Sequence, residues 1–168
     1  MPDRLDVTPI LATLAGSLET ALSQRGIDDP LLVGVHTGGV WVAEALREQL
    51  QLKQPIGTLS ITFYRDDFTR IGLHPQVKPS QLPPSVDDRH IVLVDDVLHT
   101  GRTVRAALNE IFDYGRPASV LLAVLVDRGG RELPFEPTVV GTRLELERGQ
   151  NIKLTGPKPL TLQLQEEP

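Results

Sequence analysis

The chain has 168 residues, 40% of them hydrophobic and 23% charged, with a formal net charge of −5. These proportions describe an ordinary globular domain long enough for a substantial core, with no general attraction to nucleic acid. The lack of cysteine excludes disulfides and thiolate metal sites, and no apolar run approaches the roughly 20 residues that span a bilayer.

The opening residues, Met1-Pro2-Asp3-Arg4-Leu5-Asp6, show no basic region followed by an apolar run, so a cytoplasmic protein is expected. Thr8-Pro9 reads as an N-cap and first helical residue, followed by Ile10, Leu11, Leu14, Leu18, Ala21 and Leu22 at helical spacing. Gly26 is the expected stop. Residues 31–35 read as a buried strand, His36-Thr37-Gly38-Gly39 as a turn, and residues 40–50 as a helix. Trp41 on that helix reads as packing or a subunit contact. Residues 56–63 suggest a strand with Leu59, Ile61 and Phe63 on one side. Residues 65–89 hold Pro75, Pro79, Pro83 and Pro84; so long an irregular stretch is usually disordered or an active-site lid.

Ile91-Val92-Leu93-Val94 makes a short apolar strand of the kind covered on both faces. Asp95 and Asp96 follow at its end, then the turn Thr100-Gly101-Arg102-Thr103. Next comes a helix with Val104, Ala107, Leu108 and Ile111, ended by Gly115 and Pro117. Residues 118–126 form the next apolar strand. Shorter elements follow around 134–141, then a polar tail, and residues 161–165 alternate like an edge strand. Alternating strands and helices predict a parallel α/β sheet with ligands at the carboxyl ends of its strands. The loops at 36–39, 64–67, 95–103 and 127–131 fall at those ends.

The order strand, acid pair, hydroxyl-and-glycine loop, helix start has a chemical reading. A helix N-terminus offers unpaired N–H groups and a positive dipole end, which suits phosphate. Thr100 and Thr103 add hydroxyl donors, and Gly101 lets backbone approach closely. Two carboxylates cannot hold a phosphate, but they suit sugar hydroxyls or a magnesium ion bridging hydroxyls and phosphate. No G-x-x-x-x-G-K-[ST] or G-x-G-x-x-G string occurs, so a P-loop and a dinucleotide fingerprint are excluded.

Residues 91–104 resemble the phosphoribosyl diphosphate (PRPP) signature of type I phosphoribosyltransferases. Several further strings look like the PyrR family, pyrimidine-operon regulators that are also uracil phosphoribosyltransferases. They are Phe63-Tyr64-Arg65-Asp66-Asp67, the run from Asp95 to Ala107, Gly115-Arg116-Pro117, the run from Leu122 to Gly129, and Arg131-Glu132-Leu133-Pro134. The resemblance covers roughly residues 31–142. It implies one domain over 1–168: a mainly parallel sheet flanked by helices, a mobile loop at about 65–89, and a small hood. The hood comprises residues from about 127 onward plus the N-terminal segment. It also implies synthesis of UMP and pyrophosphate from uracil and PRPP with magnesium, in a homo-oligomer.

Carried over by position, Asp95 and Asp96 hold the ribose hydroxyls, and Thr100, Gly101, Arg102 and Thr103 hold the 5′-phosphate. Thr37, Gly38 and Gly39 lie against pyrophosphate, Arg65 joins them, and Asp66 or Asp67 lies near magnesium. Asp127, Arg128, Val139 and Val140 sit near uracil. Three positions depart from the family. His36-Thr37-Gly38-Gly39 stands where a Lys/Arg-Thr-Arg-Gly pattern is common, which removes an arginine from the pyrophosphate side. His99 replaces a common Tyr, either simply filling the pocket rim or, since purine enzymes carry at that place an Asp thought to act as a base, serving as an acid–base group. Gly130 replaces a frequent His in a segment linked to RNA recognition. Binding of pyrimidine-operon leader RNA in response to UMP or UTP is a further family-implied role. The alternatives are a non-catalytic, nucleotide-sensing RNA attenuator and a purine phosphoribosyltransferase.

Overall fold

The computed structural model describes residues 4–61 and 80–166. Strand β1 (Arg4–Asp6) leads into helix α1 (Val7–Gln24), then β2 (Leu31–Val35), α2 (Gly38–Gln49) and β3 (Gly57–Leu59). After the undescribed segment come β4 (His90–Leu98), α3 (Arg102–Phe112), β5 (Ser119–Asp127), β6 (Val139–Arg143), β7 (Gln150–Thr155) and β8 (Thr161–Glu166). Five strands form one sheet in the order β3-β2-β4-β5-β6, every neighbouring pair parallel. This is the type I phosphoribosyltransferase arrangement.

The continuous apolar runs of β4 and β5 have a simple cause: both faces of the sheet are covered. Val92, Val94, Leu121, Ala123 and Leu125 pack beneath α1 and α2. Ile91, Leu93, Leu122 and Val124 pack on the other face with Val104, Ala107 and Ile111 of α3.

Helix α1 starts earlier than Thr8-Pro9 predicts. Asp6 is its cap: the side chain accepts a hydrogen bond from the Thr8 N–H at 3.0 Å, one of the donors a helix start leaves unpaired. The helix ends as expected at Gly26 (φ +65), with the Ile27 N–H donating back to Leu22 at 2.9 Å.

A second, antiparallel sheet has the order β1-β8-β7. Residues 161–165 are therefore not an edge strand: Leu162 lies between Leu5 of β1 and Leu154 of β7 and is fully buried. Alternation reports one covered face but says nothing of how many neighbours a strand has, and β1 arrives from the opposite end of the chain. β7 lies in the region read as a polar tail.

β3 is shorter than the predicted strand, and Phe63 lies outside the described residues. So do Arg65, Asp66 and Asp67 and most of the stretch read as a lid. Its last part is tied to the main sheet: Thr58 and Gln81 exchange backbone hydrogen bonds of 2.9 and 2.8 Å, and Val86 is buried. No helix among the described residues is long and apolar enough to cross a membrane.

Candidate active site

β4 does not stop at Val94. β5 stays alongside it, pairing Asp95 with Val124, Val97 with Val126 and Leu98 with Asp127, so the acid pair lies within the strand rather than after it. Asp95 is 8% exposed and Asp96 half-buried. The Asp96 N–H donates to Asp95 Oδ1 and the Val97 N–H to Asp96 Oδ1, both at 2.8 Å. Burial, reinforced by the neighbouring Asp96 carboxylate, holds the Asp95 carboxyl well above the usual range. The protonated form of Asp95 is therefore favoured relative to an exposed aspartate.

Helix α2 begins at Gly38, two residues before the predicted start, because Thr37 O accepts from both Val40 N (3.2 Å) and Trp41 N (3.3 Å). Its two glycines meet the acid pair directly. A methyl carbon built on Gly38 falls 2.6 Å from Asp96 Cγ and closer still to Oδ2; one on Gly39 falls 2.5 Å from Val94 O. Any side chain at position 38 displaces the Asp96 carboxylate. The turn after β2 and the carboxylates of β4 thus form one surface.

At the start of α3, Gly101 has φ +95, a conformation glycine adopts without a steric penalty. The Arg102 N–H donates to Thr100 Oγ1 at 3.2 Å. Thr103 and Arg102 are exposed at the helix start, and Arg102 Nε pairs with Glu132 at 2.8 Å.

The fourth loop is organised around Asp127, which is 4% exposed. Its Oδ2 accepts from Arg131 Nη2 at 2.8 Å and from Arg143 Nη1, and its Oδ1 accepts from the Gly129 N–H at 3.0 Å. Burial pushes the Asp127 carboxyl upward, but these donors and the two guanidinium charges outweigh it and hold it below the usual range. His99 Nδ1 lies 2.9 Å from Gly129 O. A carbonyl can only accept, so Nδ1 carries a hydrogen and the neutral ring keeps its lone pair at Nε2. The His99 ring also covers Gly130, where a side-chain carbon would fall 2.7 Å from Cε1.

A recess of about 360 Å³ opens here, lined by Asp127, Arg128, Gly129, Arg143, Leu144 and Glu145. Two of the four predicted uracil residues border it. Val139 does not, being buried in the core beneath α1, and Val140 packs on the opposite, α3 side. The Arg128 guanidinium reaches away to Asn151 Oδ1 (3.1 Å) and Gln150 O (3.3 Å) of β7. Sequence reasoning missed Arg143, Leu144 and Glu145 as lining, and Arg131 as a partner of Asp127. The available signal was an acid at a strand end with an arginine four residues on.

No three His, Asp or Glu residues converge as a metal cage among the described residues. The half-buried Asp96 carboxylate and the polarity of the site fit a magnesium ion that arrives largely held by the oxygens of a phosphorylated substrate.

Residues 3–152 match the phosphoribosyl transferase domain family. Solved structures of similar shape include a hypoxanthine-guanine phosphoribosyltransferase from Bacillus anthracis. Its TM-score is 0.67 at 15% identity, covering 85% of this chain and 84% of that one. A hypoxanthine phosphoribosyltransferase from Staphylococcus aureus has a TM-score of 0.64 at 19% identity, covering 85% and 77%. At those identities they establish the fold. The site and fold together define a phosphoribosyltransferase.

The "Bifunctional protein PyrR" of Nitrosococcus oceani is 58% identical over 166 residues, 98% of this chain and 94% of that one. Its namesake from Pseudomonas paraeruginosa is 59% identical over 154 residues, 92% and 91%. This chain belongs to the PyrR family.

Proposed function

We propose that the chain transfers the ribose 5-phosphate group of PRPP to N1 of uracil, giving UMP and pyrophosphate. The observation that carries this reading is the junction of the Gly38-Gly39 turn with Asp95 and Asp96, at the same sheet edge as the α3 N-terminus. The 5′-phosphate sits on Thr100, Gly101, Arg102 and Thr103, and the ribose hydroxyls face Asp95 and Asp96. Pyrophosphate lies against the N–H groups of Thr37, Gly38 and Gly39; Arg65, Asp66 and Asp67, expected from the family likeness to serve pyrophosphate and magnesium, lie outside the described residues. Uracil occupies the Asp127–Arg128 recess, with Arg143, Leu144 and Glu145 replacing Val139 and Val140 as its walls.

Breaking the bond from C1′ to pyrophosphate builds positive charge on the ribose and negative charge on the leaving group. Asp95 and Asp96 orient the ring and face the developing cation, while the glycine-turn donors face the departing oxygens. Bound magnesium adds positive charge at that leaving group. His99 Nε2 is the acceptor available to the proton leaving N1 of uracil. Positioning supplies most of the acceleration.

The same protein regulates pyrimidine genes by binding leader RNA in response to UMP or UTP, in the cytoplasm and as a homo-oligomer. The family and the shared name of the relatives support this second role, and Arg105 and Arg116 are exposed cations for RNA phosphates.

The test is pyrophosphate release from PRPP and magnesium with uracil, hypoxanthine, guanine or orotate. Turnover with uracil alone, lost in Asp95→Asn/Asp96→Asn, supports the enzyme. No turnover with any base overturns it and leaves a nucleotide-sensing attenuator; turnover with a purine base points to purine salvage. Leader-RNA affinity that neither falls with salt nor responds to UMP or UTP overturns the regulatory half.

A further inference from the structure

We infer that Arg131 is the positioning residue of the phosphate loop, a role that rests on the PRPP reading of that loop. An anion site has to present donors and turn its carbonyl oxygens elsewhere. Four consecutive carbonyls, those of Leu98, His99, Thr100 and Gly101, are all occupied. Leu98 O accepts from Arg128 N at 3.0 Å, Thr100 O from Glu132 N (2.9 Å) and Leu133 N (3.0 Å), and Gly101 O from Arg105 N at 3.0 Å. His99 O accepts from Arg131 Nη1 at 3.1 Å, a side-chain donor among backbone ones.

In a trans peptide the C=O and the following N–H point in opposite directions. Holding the His99 and Thr100 carbonyls on residues 131–133 therefore aims the N–H groups of Thr100 and Gly101 away from that segment, where a phosphate can take them. Arg131 holds both ends of this arrangement. Its Nε donates to Phe135 O at 2.7 Å, closing the 131–135 turn that supplies the Glu132 and Leu133 N–H groups. Its Nη2 is fixed by the buried Asp127 at 2.8 Å. Arg131 is 16% exposed, and it acts on the loop through His99 and Thr100 rather than by touching ligand. Three acceptors at fixed angles match a planar guanidinium and not an ammonium on a flexible stem.

The experiment compares wild type, Arg131→Lys and Arg131→Ala by calorimetric titration with ribose 5-phosphate and, separately, with magnesium pyrophosphate. Wild-type binding of ribose 5-phosphate and turnover of PRPP are established first; failure there overturns the phosphoribosyl reading and this role with it. The expected result is ribose 5-phosphate bound about tenfold more weakly by both variants, as for loss of a charged hydrogen bond, with pyrophosphate affinity within twofold of wild type. Millimolar guanidinium restores ribose 5-phosphate affinity to Arg131→Ala. Wild-type affinity for ribose 5-phosphate in Arg131→Lys overturns the inference, and so does an equal loss of both ligands. Arg131→Lys retains a cation on Asp127 beside Arg143, so the comparison survives an unstable alanine variant.

Discussion

Replacing Gly38 with alanine separates the function of the α2 turn from its folding. The new methyl carbon falls 2.6 Å from Asp96 Cγ and 3.0 Å from its Cβ, and ordinary contact begins near 3.4 Å. The carboxylate must therefore move by roughly an ångström, which breaks its 2.8 Å hydrogen bond from the Val97 N–H. Moved that far, Asp96 also loses its hydrogen bond to a ribose hydroxyl; a hydrogen bond to a charged group contributes about 1.5–3 kcal/mol, so kcat/KM for PRPP falls roughly 10- to 150-fold. Asp96 is half-buried, so water takes up the freed carboxylate and the net stability loss is about 1 kcal/mol, roughly 2–4 °C in melting temperature. Gly39→Ala is the contrast: its methyl meets the backbone oxygen of Val94 at 2.5 Å, and the strand has to shift. That variant loses stability and activity together. Steady-state pyrophosphate release and thermal melts of both variants decide the matter. Gly38→Ala with wild-type kcat/KM for PRPP refutes the reasoning, and so does a Gly38→Ala that melts as early as Gly39→Ala.

Three further outcomes are expected. Asp95 has a folded-state pKa raised by burial, so its contribution to stability is complete below about pH 4 and is lost as pH rises through the folded value. Asp95→Asn, inactive, therefore melts later than wild type at pH 8, by a margin that closes toward pH 4; an equal or earlier melt at pH 8 contradicts this. Asp127 has its pKa lowered, so its contribution is present above about pH 4 and disappears as pH falls through the folded value. Asp127→Asn leaves two arginines without their carboxylate and costs about 3 kcal/mol at pH 7, a fall of roughly 6–12 °C in melting temperature. A change under 2 °C, or a deficit that persists at pH 2, defeats that assignment. Leu162→Ala, at the centre of the second sheet, costs about 2–5 kcal/mol and speeds amide exchange in β1 and β7 alike; faster exchange in one of them alone shows the sheet to be less cooperative than its order implies.

The chemistry was legible in the sequence because its local parts are contiguous. A strand, two acids, a glycine that needs positive φ and a helix start follow one another within fourteen residues, 91–104, and each carries its own signal. Errors arose where a neighbour from elsewhere decided the outcome. The acids read as a strand end because carboxylates are poor strand formers, yet β5 pairs with Asp95 and carries β4 on to Leu98. Asp6 became the cap of α1 because β8 fixes the extended backbone of β1 just before it. Val139 looked available as an apolar wall for a base, but nothing in the sequence told which side of β6 met α1.

Arg131 illustrates the same limit from the functional side. Its string, Arg131-Glu132-Leu133-Pro134, was visible as a family likeness, but a likeness gives no partner atoms. The role becomes apparent once the loops after β4 and β5 are known to lie side by side, since the acceptors, His99 O and Asp127 Oδ2, come from the loop after β4 and from the end of β5. Adjacency of β4 and β5 therefore does more than build the sheet. It lets one loop set the peptide orientation of the next, so a substitution in residues 131–135 acts on phosphate binding without any contact to phosphate. A variant there that alters PRPP affinity is accordingly no proof of a direct ligand contact, and the split between ribose 5-phosphate and pyrophosphate binding is the measurement that tells the two apart.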